Sequence, residues 1–282
     1  MSQSTQTWFI TGTSSGFGHA FAEYALAQGH NVVATARNTA SLDKLVQKAS
    51  ERVLAVKLDV TKPQDANAAV KAAIAKFGRI DVLINNAGYA IVGAVEETPD
   101  NELRALMDTN FFGAMNVIRA ALPTLRAQKS GAIVNISSMG GQMSYAGYGA
   151  YSASKFALEG ASEALALELA PFGIKVMIVE PGAFRTELVG KALHEMPALD
   201  AYEETVGQTR AFTRQMHRTQ EGDPRKAAEA IAQAIASDNT PLRLQLGSDS
   251  VEAVRNHSEK LLSDLKQWEK IASATAFTTQ AA

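Results

Sequence analysis

The feature that most restricts the fold of this chain is the apolar character of its predicted strands. Their residues form short, almost uninterrupted apolar runs, as expected of strands that are buried on both faces. Seven such runs are predicted, at residues 8–10, 32–37, 53–58, 82–84, 132–137, 175–179 and 242–246. Helical patterns occupy residues 18–28, 41–49, 63–77, 100–126, 151–170, 223–237 and 250–271. This alternation predicts an α/β fold with a seven-stranded parallel sheet and helices on both of its faces.

Length and composition favour one domain and exclude several classes of function. The chain has 282 residues, and no repeat, low-complexity tract or linker divides it. Its 27 basic and 29 acidic residues leave no basic excess that would indicate a nucleic acid or an anionic membrane as partner. With no cysteine and five scattered histidines, no metal site is predicted. The polar first residues show no secretion signal and no apolar run has membrane-spanning length, so we expect a cytoplasmic protein.

The ends of the predicted helices are marked by proline and glycine. Pro63 stands in a first helical turn, where proline is tolerated, and Gly78 follows the end of the same helix. Pro123 falls inside the helix at 100–126 and is predicted to kink or end it. Residues 272–282 are small and polar, and we expect them to form a flexible tail.

A glycine-rich turn joins the first strand to the first helix. Glycines permit a tight turn and a close approach of a ligand to the backbone, and the helix N-terminus adds amide donors and positive potential. In this position the turn predicts a site for the pyrophosphate of a dinucleotide. Its residues are Gly12, Ser14, Ser15, Gly16, Phe17 and Gly18.

Tyr151 and Lys155 are the main candidates for catalysis. They stand four residues apart on a predicted helix and therefore lie on one face, within reach of each other. A fixed ammonium favours the phenolate and lowers the pKa of the phenol from its ordinary value near 10. Ser138 offers a hydroxyl that can hold a substrate oxygen against the phenol. Ser137 competes for that role, because neighbours in a strand point to opposite faces and only one of them can face the site.

Five motifs, in order and in register from residue 7 to about residue 186, resemble the short-chain dehydrogenase/reductase family. They are Thr-Gly-x-x-x-Gly-x-Gly at 11–18, Asn-Asn-Ala-Gly at 85–88, Ser138, Tyr-x-x-x-Lys at 151–155 and Pro-Gly at 181–182. The resemblance implies a Rossmann-type, doubly wound fold and NAD(P)-dependent hydride transfer between a carbonyl and a secondary alcohol.

The resemblance also implies roles for individual residues. Tyr151 would be the general acid/base, and Lys155 would lower its pKa and bind the nicotinamide ribose. Ser138, which the register of the family favours over Ser137, would orient the substrate oxygen. Asn110, inside the helix at 100–126, would hold a proton-relay water near Lys155.

The second strand suggests which nicotinamide cofactor is used. It ends in Ala36 and Arg37, where an acidic residue would bind the ribose hydroxyls of NAD and repel a 2′-phosphate. A guanidinium without an acidic neighbour suits a phosphate, and Asn38 could add a donor. We therefore expect NADP(H), with NAD(H) as the weaker alternative, although Ser15 stands where the family often has a second basic residue. The other cofactor contacts that the resemblance implies are Asp59, Val60, Asn86, Ala87, Gly88, Pro181, Gly182 and Thr186.

The stretch at 185–222 breaks the alternation of strands and helices. A long insertion at the carboxyl ends of strands predicts a lid over the substrate, and the alternative is a pair of ordinary surface helices. The predicted pocket is mostly apolar, which favours an apolar or steroid-like ketone over a sugar. Its residues are Ser138, Gly140, Met143, Tyr145, Phe184 and Leu188. The chain also resembles the branch near 17β-hydroxysteroid and retinol dehydrogenases.

Two alternative functions stay open at this point. A 3-oxoacyl-thioester reductase of the same family would need a basic patch at the pocket mouth, for which Arg185, Lys191 and Arg210 are candidates. A non-enzymatic NADP-sensing protein is disfavoured, because such proteins commonly lose the tyrosine or the lysine.

The expected partners are a small ketone or alcohol and further copies of the chain. Members of the family are mostly dimers or tetramers. The alanine-rich faces of the helices at 100–126 and 151–170 could pack across a two-fold axis. We therefore expect a homodimer or a homotetramer.

Overall fold

A parallel sheet of seven strands forms the centre of the molecule, of which the computed structural model describes residues 5–277. The strands of the described chain are β1 (Thr7–Ile10), β2 (Asn31–Ala36), β3 (Val53–Lys57), β4 (Val82–Asn85), β5 (Ala90–Val92), β6 (Gly131–Ile136), β7 (Ile174–Pro181), β8 (Leu193–Glu195) and β9 (Arg243–Leu246). The main sheet has the spatial order β3, β2, β1, β4, β6, β7, β9, and all its pairs are parallel. The predicted seven-stranded doubly wound fold is confirmed.

Helices cover both faces of this sheet. The α-helices of the described chain are α1 (Gly16–Ala27), α2 (Asp43–Lys48), α3 (Pro63–Phe77), α4 (Asp100–Met107), α5 (Gly113–Gln128), α6 (Gly149–Leu169), α7 (Gln208–Met216), α8 (Pro224–Ala236) and α9 (Ser248–Ser273). As predicted, Pro63 lies in the first turn of α3, and Gly78 ends that helix in the left-handed conformation.

Each strand contributes to two cores, because successive side chains point to opposite faces. In β1, Trp8 and Ile10 pack with α1, α2 and α8, whereas Phe9 packs with α3, α5 and α6 on the other face. This double burial explains why the strand sequences are apolar without alternation.

The order of the strands changes direction between β1 and β4. On one side of this point β1 pairs with β2, and on the other side β4 pairs with β6. Ligands of open parallel sheets bind in the crevice at the carboxyl ends of the strands beside such a point. The glycine turn after β1 and residues 86–88 after β4 both lie there.

The predicted helix at 100–126 is divided, although not at Pro123. After α4 a wider turn with π-type hydrogen bonds occupies residues 108–112, and α5 then continues through the proline. Of the two effects predicted for Pro123, a kink or an end of the helix, the end is therefore wrong. Proline removes one backbone hydrogen bond, and the buried side chains of Ala121 and Leu125 hold α5 against the sheet on either side of it.

The insertion at 185–222 contains secondary structure of its own. β8 pairs with β5 in a separate two-stranded sheet, and a π-type turn at 203–207 leads into α7. The predicted tail at 272–282 overlaps the end of α9, and its residues 278–282 lie outside the described residues. Between residues 5 and 277, every helix is too short or too polar to span a bilayer.

Candidate active site

The glycine turn keeps its shape because side chains would not fit there. Gly12 has a φ of +69°, which favours glycine. A Cβ atom on Gly18 would lie 2.3 Å from the carbonyl oxygen of Gly12. The Asn86 side chain donates to the carbonyl oxygens of Thr11 (2.9 Å) and Gly12 (3.1 Å), and Thr11 Oγ1 accepts the amides of Asn86 (2.9 Å) and Ala87 (3.0 Å). Asn86 therefore joins the end of β4 to the turn.

The N-terminus of α1 fits a dinucleotide phosphate. Ser15 caps the helix in extended conformation without a side-chain hydrogen bond, and it is exposed together with Ser14. The first-turn amides have no partner within the helix and can bind an anion. Thr186 closes one side of the turn, because a Cβ atom on Gly16 would lie 3.3 Å from the Cβ atom of Thr186.

Arg37 and Asp59 lie near each other at the ends of β2 and β3. The Asp59 carboxylate accepts hydrogen bonds from the Thr61 hydroxyl (2.7 Å) and amide (3.1 Å). These bonds, with smaller contributions that include the charge of Arg37, lower the pKa of Asp59. Among the described residues Arg37 makes no ion pair, and its exposed side chain can bind a ligand phosphate. Asn38 accepts the amide of Ala40 (3.1 Å).

Asn110 lies in the wide turn between α4 and α5 and faces the active-site helix. Its buried amide nitrogen donates to the Tyr89 carbonyl (2.9 Å) and to Ser154 Oγ (3.0 Å), and its oxygen accepts the Tyr89 amide (3.1 Å). A Cβ atom on Gly88 would lie 2.9 Å from Asn110 Oδ1 and 3.7 Å from Lys155 Nζ. Asn110 and Lys155 therefore border the same space.

Tyr151 and Lys155 lie on one face of α6, as their spacing predicts. The ammonium is 5.7 Å from the centre of the phenol ring and donates to the Ile136 carbonyl (2.8 Å). Burial lowers the pKa of Lys155 to about 8, although Glu159 partly opposes this shift. Burial raises the pKa of Tyr151 to about 12, and the Ser138 hydroxyl partly opposes that rise. The expected lowering of the phenol pKa is therefore not found in the protein alone, because desolvation is the largest influence on it.

The two neighbouring serines after β6 have different partners. Ser138 Oγ and Tyr151 Cε1 lie 3.4 Å and 3.5 Å from the position that a Cβ atom would take on Gly140. Ser137 instead donates to the buried carboxylate of Glu159. Ser138 is thus the serine beside the phenol.

Glu159 is a feature that the sequence analysis missed. Besides Ser137, its carboxylate accepts hydrogen bonds from Gln142 and Arg243. Arg243 also bonds Glu180 (2.7 Å). Although burial opposes the charge of Arg243, the surrounding carboxylates raise its pKa. The signal available in the sequence was the position of Glu159, one helical turn after Lys155.

Besides Ser138 and Gly140, the four other predicted substrate residues divide into three groups. Leu188 packs against the apolar cluster around Tyr151, and Met143 is buried beside the same helix, with its carbonyl accepting the Ser152 hydroxyl (3.4 Å). Tyr145 is 48% exposed. Phe184 packs on Phe17 with tilted rings whose centres are 5.1 Å apart, and it is partly buried against the core next to α1. The predicted pocket position of Phe184 is therefore not supported by its packing.

A buried ion pair joins the insertion to the body of the protein. Arg210 bonds Glu97 (2.7 Å), whose carboxylate also accepts the amides of Leu199 (2.7 Å) and Ala94 (2.6 Å). Burial opposes the charge of Glu97, but these bonds lower its pKa overall. Arg210 therefore does not belong to a basic patch at the pocket mouth, as the thioester-reductase alternative would need. Arg185 is likewise engaged, with the Gln220 carbonyl (2.9 Å).

The turn after β7 is tightly packed. The Gly182 amide donates to the Leu246 carbonyl (2.9 Å), and the Ala183 amide donates to Asp249 (2.6 Å). A Cβ atom on Gly182 would lie 2.2 Å from the Asp249 carboxylate. Pro181, the last residue of β7, is buried, as is Val60 after β3.

A cavity of about 590 Å³ lies between α7 and the start of α9. Its lining includes Phe212, Met216, Gln220 and Asp249, but none of the four predicted catalytic residues. It is therefore separate from the site around Tyr151. Within residues 5–277, no three His, Asp or Glu side chains are grouped to hold a metal ion.

Comparisons with known proteins agree with this geometry. The family model described as short chain dehydrogenase matches residues 6–197. Oxidoreductase BOA17 of Botryotinia fuckeliana (strain B05.10) is 41% identical over 273 residues, which cover 96% of this chain and 100% of that protein. A 3-ketodihydrosphingosine reductase of Bacteroides thetaiotaomicron is 41% identical over 248 residues, which cover 86% of this chain and 88% of that protein.

Solved structures give the same result. A short-chain dehydrogenase from Streptomyces avermitilis has a TM-score of 0.92 and 50% identity, and the match covers 97% of this chain and 100% of that chain. A short chain dehydrogenase from Burkholderia cenocepacia in complex with NADP has a TM-score of 0.74 and 26% identity, covering 93% of this chain and 97% of that chain. A 3-ketoacyl-(acyl-carrier-protein) reductase from Brucella melitensis, with a TM-score of 0.71, 27% identity and coverage of 86% and 96%, is complexed with NADH.

Proposed function

Because this chain belongs to the short-chain dehydrogenase/reductase family and is an NAD(P)-dependent oxidoreductase, we propose that it interconverts a ketone and a secondary alcohol on an apolar molecule, with NADP(H) as cofactor. The observation that carries this proposal is the buried pair of Tyr151 and Lys155 beside Ser138. Apolar residues surround the phenol, among them Ile91, Met196 and the partly buried Leu188. Apolar surroundings of this kind suit an apolar ketone.

Tyr151 acts as the general acid in the direction of reduction. Bound NADP(H) supplies the hydride to the carbonyl carbon, or accepts it in the reverse direction. The Ser138 hydroxyl holds the substrate oxygen, and Tyr151 donates its proton to that oxygen as the alcohol forms. Burial suits Tyr151 to the role of acid, since it keeps the phenol protonated. In the oxidation direction the phenolate must form, and the ammonium of Lys155 then stabilises it.

Lys155 and Asn110 serve the cofactor and the return of the proton. We assign Lys155 to the nicotinamide ribose and Asn110 to the proton relay beside it. Both side chains lie next to Gly88, and this proximity supports both assignments.

The preference for NADP(H) rests on Arg37. Its side chain is exposed at the end of β2 and makes no ion pair among the described residues, so it can bind a 2′-phosphate. We expect Arg37→Asp to raise the Michaelis constant for NADPH at least about tenfold more than that for NADH. Lys44→Asp, on the exposed side of α2, makes the same change in net charge and is the matched control. Equal effects of Arg37→Asp on the two cofactors would contradict the preference.

The substrate class is tested by following NADPH oxidation with a panel of ketones. The panel contains apolar and steroid-like ketones, 3-ketodihydrosphingosine, a 3-oxoacyl thioester and a keto sugar. The apolar and the steroid-like ketones should react fastest, because the residues around Tyr151 are apolar. A keto sugar as the best substrate would overturn the apolar assignment, and a thioester would favour the alternative reductase. Failure of every ketone would contradict the enzymatic proposal.

A further inference from the structure

The last helix of the protein extends away from the rest of the fold. α9 has 26 residues, which corresponds to a length of about 39 Å, and of these only Ser250 is buried. Ser250 anchors the start of the helix by donating to the Glu180 carbonyl (2.7 Å). In the described chain, the rest of α9 is left with its side chains exposed or half-buried.

α9 carries an apolar seam of the kind that pairs helices. Steps of three and four residues connect Val251, Val254, Ser258, Leu261, Leu265, Trp268 and Ala272. This spacing is the heptad pattern of a coiled coil. The seam is unusually open to solvent, with Leu261 55%, Leu265 64% and Trp268 57% exposed. Leu262 and Ile271, also exposed, widen it. A seam of three heptads needs a partner to bury it.

The charges of α9 indicate a protein as the partner. The helix holds five acidic and four basic side chains. A helix that lies on an anionic membrane carries an excess of lysine and arginine on its polar face. The near balance of charge in α9 is instead typical of a helix that pairs with another helix.

We propose that α9 pairs in antiparallel orientation with α9 of a second copy of this chain. In this arrangement Leu261 faces Leu265 of the partner subunit, and Ser258, a small residue, faces Trp268 of the partner subunit. The two-fold axis then passes beside Leu262, which meets its own copy. Each apolar layer is filled by a large and a small residue or by two leucines, as close packing requires.

The flanking charges select the antiparallel orientation. Antiparallel pairing brings Arg255 close to Glu269 of the partner subunit, and symmetry makes this attraction twice. Parallel pairing would instead bring Asp264 close to Glu269 of the partner subunit, and the repulsion would also occur twice. In the antiparallel pair Asp264 approaches only its own copy, and Lys260 in the same helix partly neutralises it (3.2 Å).

The size of the seam is sufficient for a specific dimer. The exposed apolar side chains of two helices, with the stems of the charged residues beside them, can bury on the order of 1,200 Å², the lower end of specific interfaces. Antiparallel pairing also places the two catalytic bodies at opposite ends of the helix pair, where they do not collide.

Cross-linking tests the orientation directly, since the chain contains no cysteine. We expect Leu262→Cys to be joined to its own copy by a short bis-maleimide in the full-length protein. Ser263→Cys, the neighbouring residue on the outer side of the helix, is the matched control and should remain monomeric on a denaturing gel. Equal cross-linking of the two variants, or none in either, would overturn the proposal. NADPH binding reports that each variant is folded.

A charge exchange tests the same pair without a cross-link. Arg255→Glu and Glu269→Arg should each weaken self-association about tenfold in sedimentation equilibrium, and the double variant should recover it. If both single variants associate like the unchanged chain, or if the double variant is as weak as the single ones, α9 does not pair in this way. Binding of the chain to anionic vesicles without self-association through α9 would also contradict the proposal.

Discussion

At the scale of single residues, Lys155 determines much of the energetics of the site. Its folded-state pKa of about 8 lies below the ordinary value of 10.5. The ammonium therefore lowers stability at neutral pH, and this cost disappears as the pH rises from about 8 to 10.5. We expect Lys155→Met to lose turnover but to raise the free energy of unfolding at pH 7 by up to about 3 kcal/mol. Urea denaturation at pH 7 and pH 10 measures the free energy of unfolding of the variant and of the unchanged chain. If the variant is as much more stable at pH 10 as at pH 7, the ammonium of Lys155 is not the cause.

Glu159 adjusts the charge of Lys155 from one turn away. Its carboxylate raises the pKa of the lysine against the effect of burial. Removing the charge in Glu159→Gln should therefore lower the Lys155 pKa and move the alkaline limb of the kcat/KM profile to lower pH. Glu163→Gln, which removes the exposed partner of Arg243, should leave that limb in place. An identical shift in both variants would show that Glu159 acts only through Arg243.

The sequence predicted the residues around the phenol better than it predicted the hydrogen bonds of Glu159 behind them. Tyr151, Lys155 and Ser138 could be singled out because they occur in register with the other motifs of the family that the chain resembles. The bonds of Glu159 could not, because they join it to Ser137, 22 residues earlier, and to Arg243, 84 residues later. The role of Phe184 stays a prediction, because an aromatic residue after β7 fits a pocket or a core equally well.

At the scale of elements, the buried pair of Arg210 and Glu97 joins the insertion at 185–222, the proposed lid, to the body of the protein. Removing the Arg210 side chain leaves the Glu97 carboxylate buried without its cation, which is strongly destabilising. We expect Arg210→Met to raise the Michaelis constant for the ketone and to speed amide hydrogen exchange in 196–216, with a smaller effect on NADPH binding. Arg214→Met, which removes the exposed pair with Glu195, is the control. It should change neither the Michaelis constant for the ketone nor the amide hydrogen exchange in 196–216. Unchanged exchange in Arg210→Met would contradict a role in closing the lid.

The elements that the sequence did not predict are those made by distant or irregular contacts. β5 and β8 have three residues each and pair segments about a hundred residues apart, so no local sequence pattern predicts them. The wide turn at 108–112 keeps helical residues on both sides and is defined only by its hydrogen bonds. The apolar strands of the main sheet were predicted, since burial on both faces determines their composition directly.

At the scale of the whole molecule, the fold separates three tasks. We assign the cofactor and catalytic site to the sheet edge at the change of strand direction, the cover over the substrate to the insertion, and self-association to α9. The first task follows from the order of strands and helices, and it was therefore predictable from the sequence. The last depends on which face of α9 stays exposed, which only the packed structure reveals.

The most direct test of the central claim is a single-turnover measurement with Tyr151→Phe. NADPH and an apolar ketone on which the unchanged chain is active are mixed with an excess of enzyme, and NADPH oxidation is followed. The variant should bind NADPH nearly as well as the unchanged chain and oxidise it at least about a thousandfold more slowly, because it lacks the phenol that we assign as the proton donor to the ketone oxygen. Tyr148→Phe, which removes the phenol bonded to Thr213 (2.9 Å), should keep its turnover. Retained turnover in Tyr151→Phe would contradict the assignment of Tyr151 as the acid.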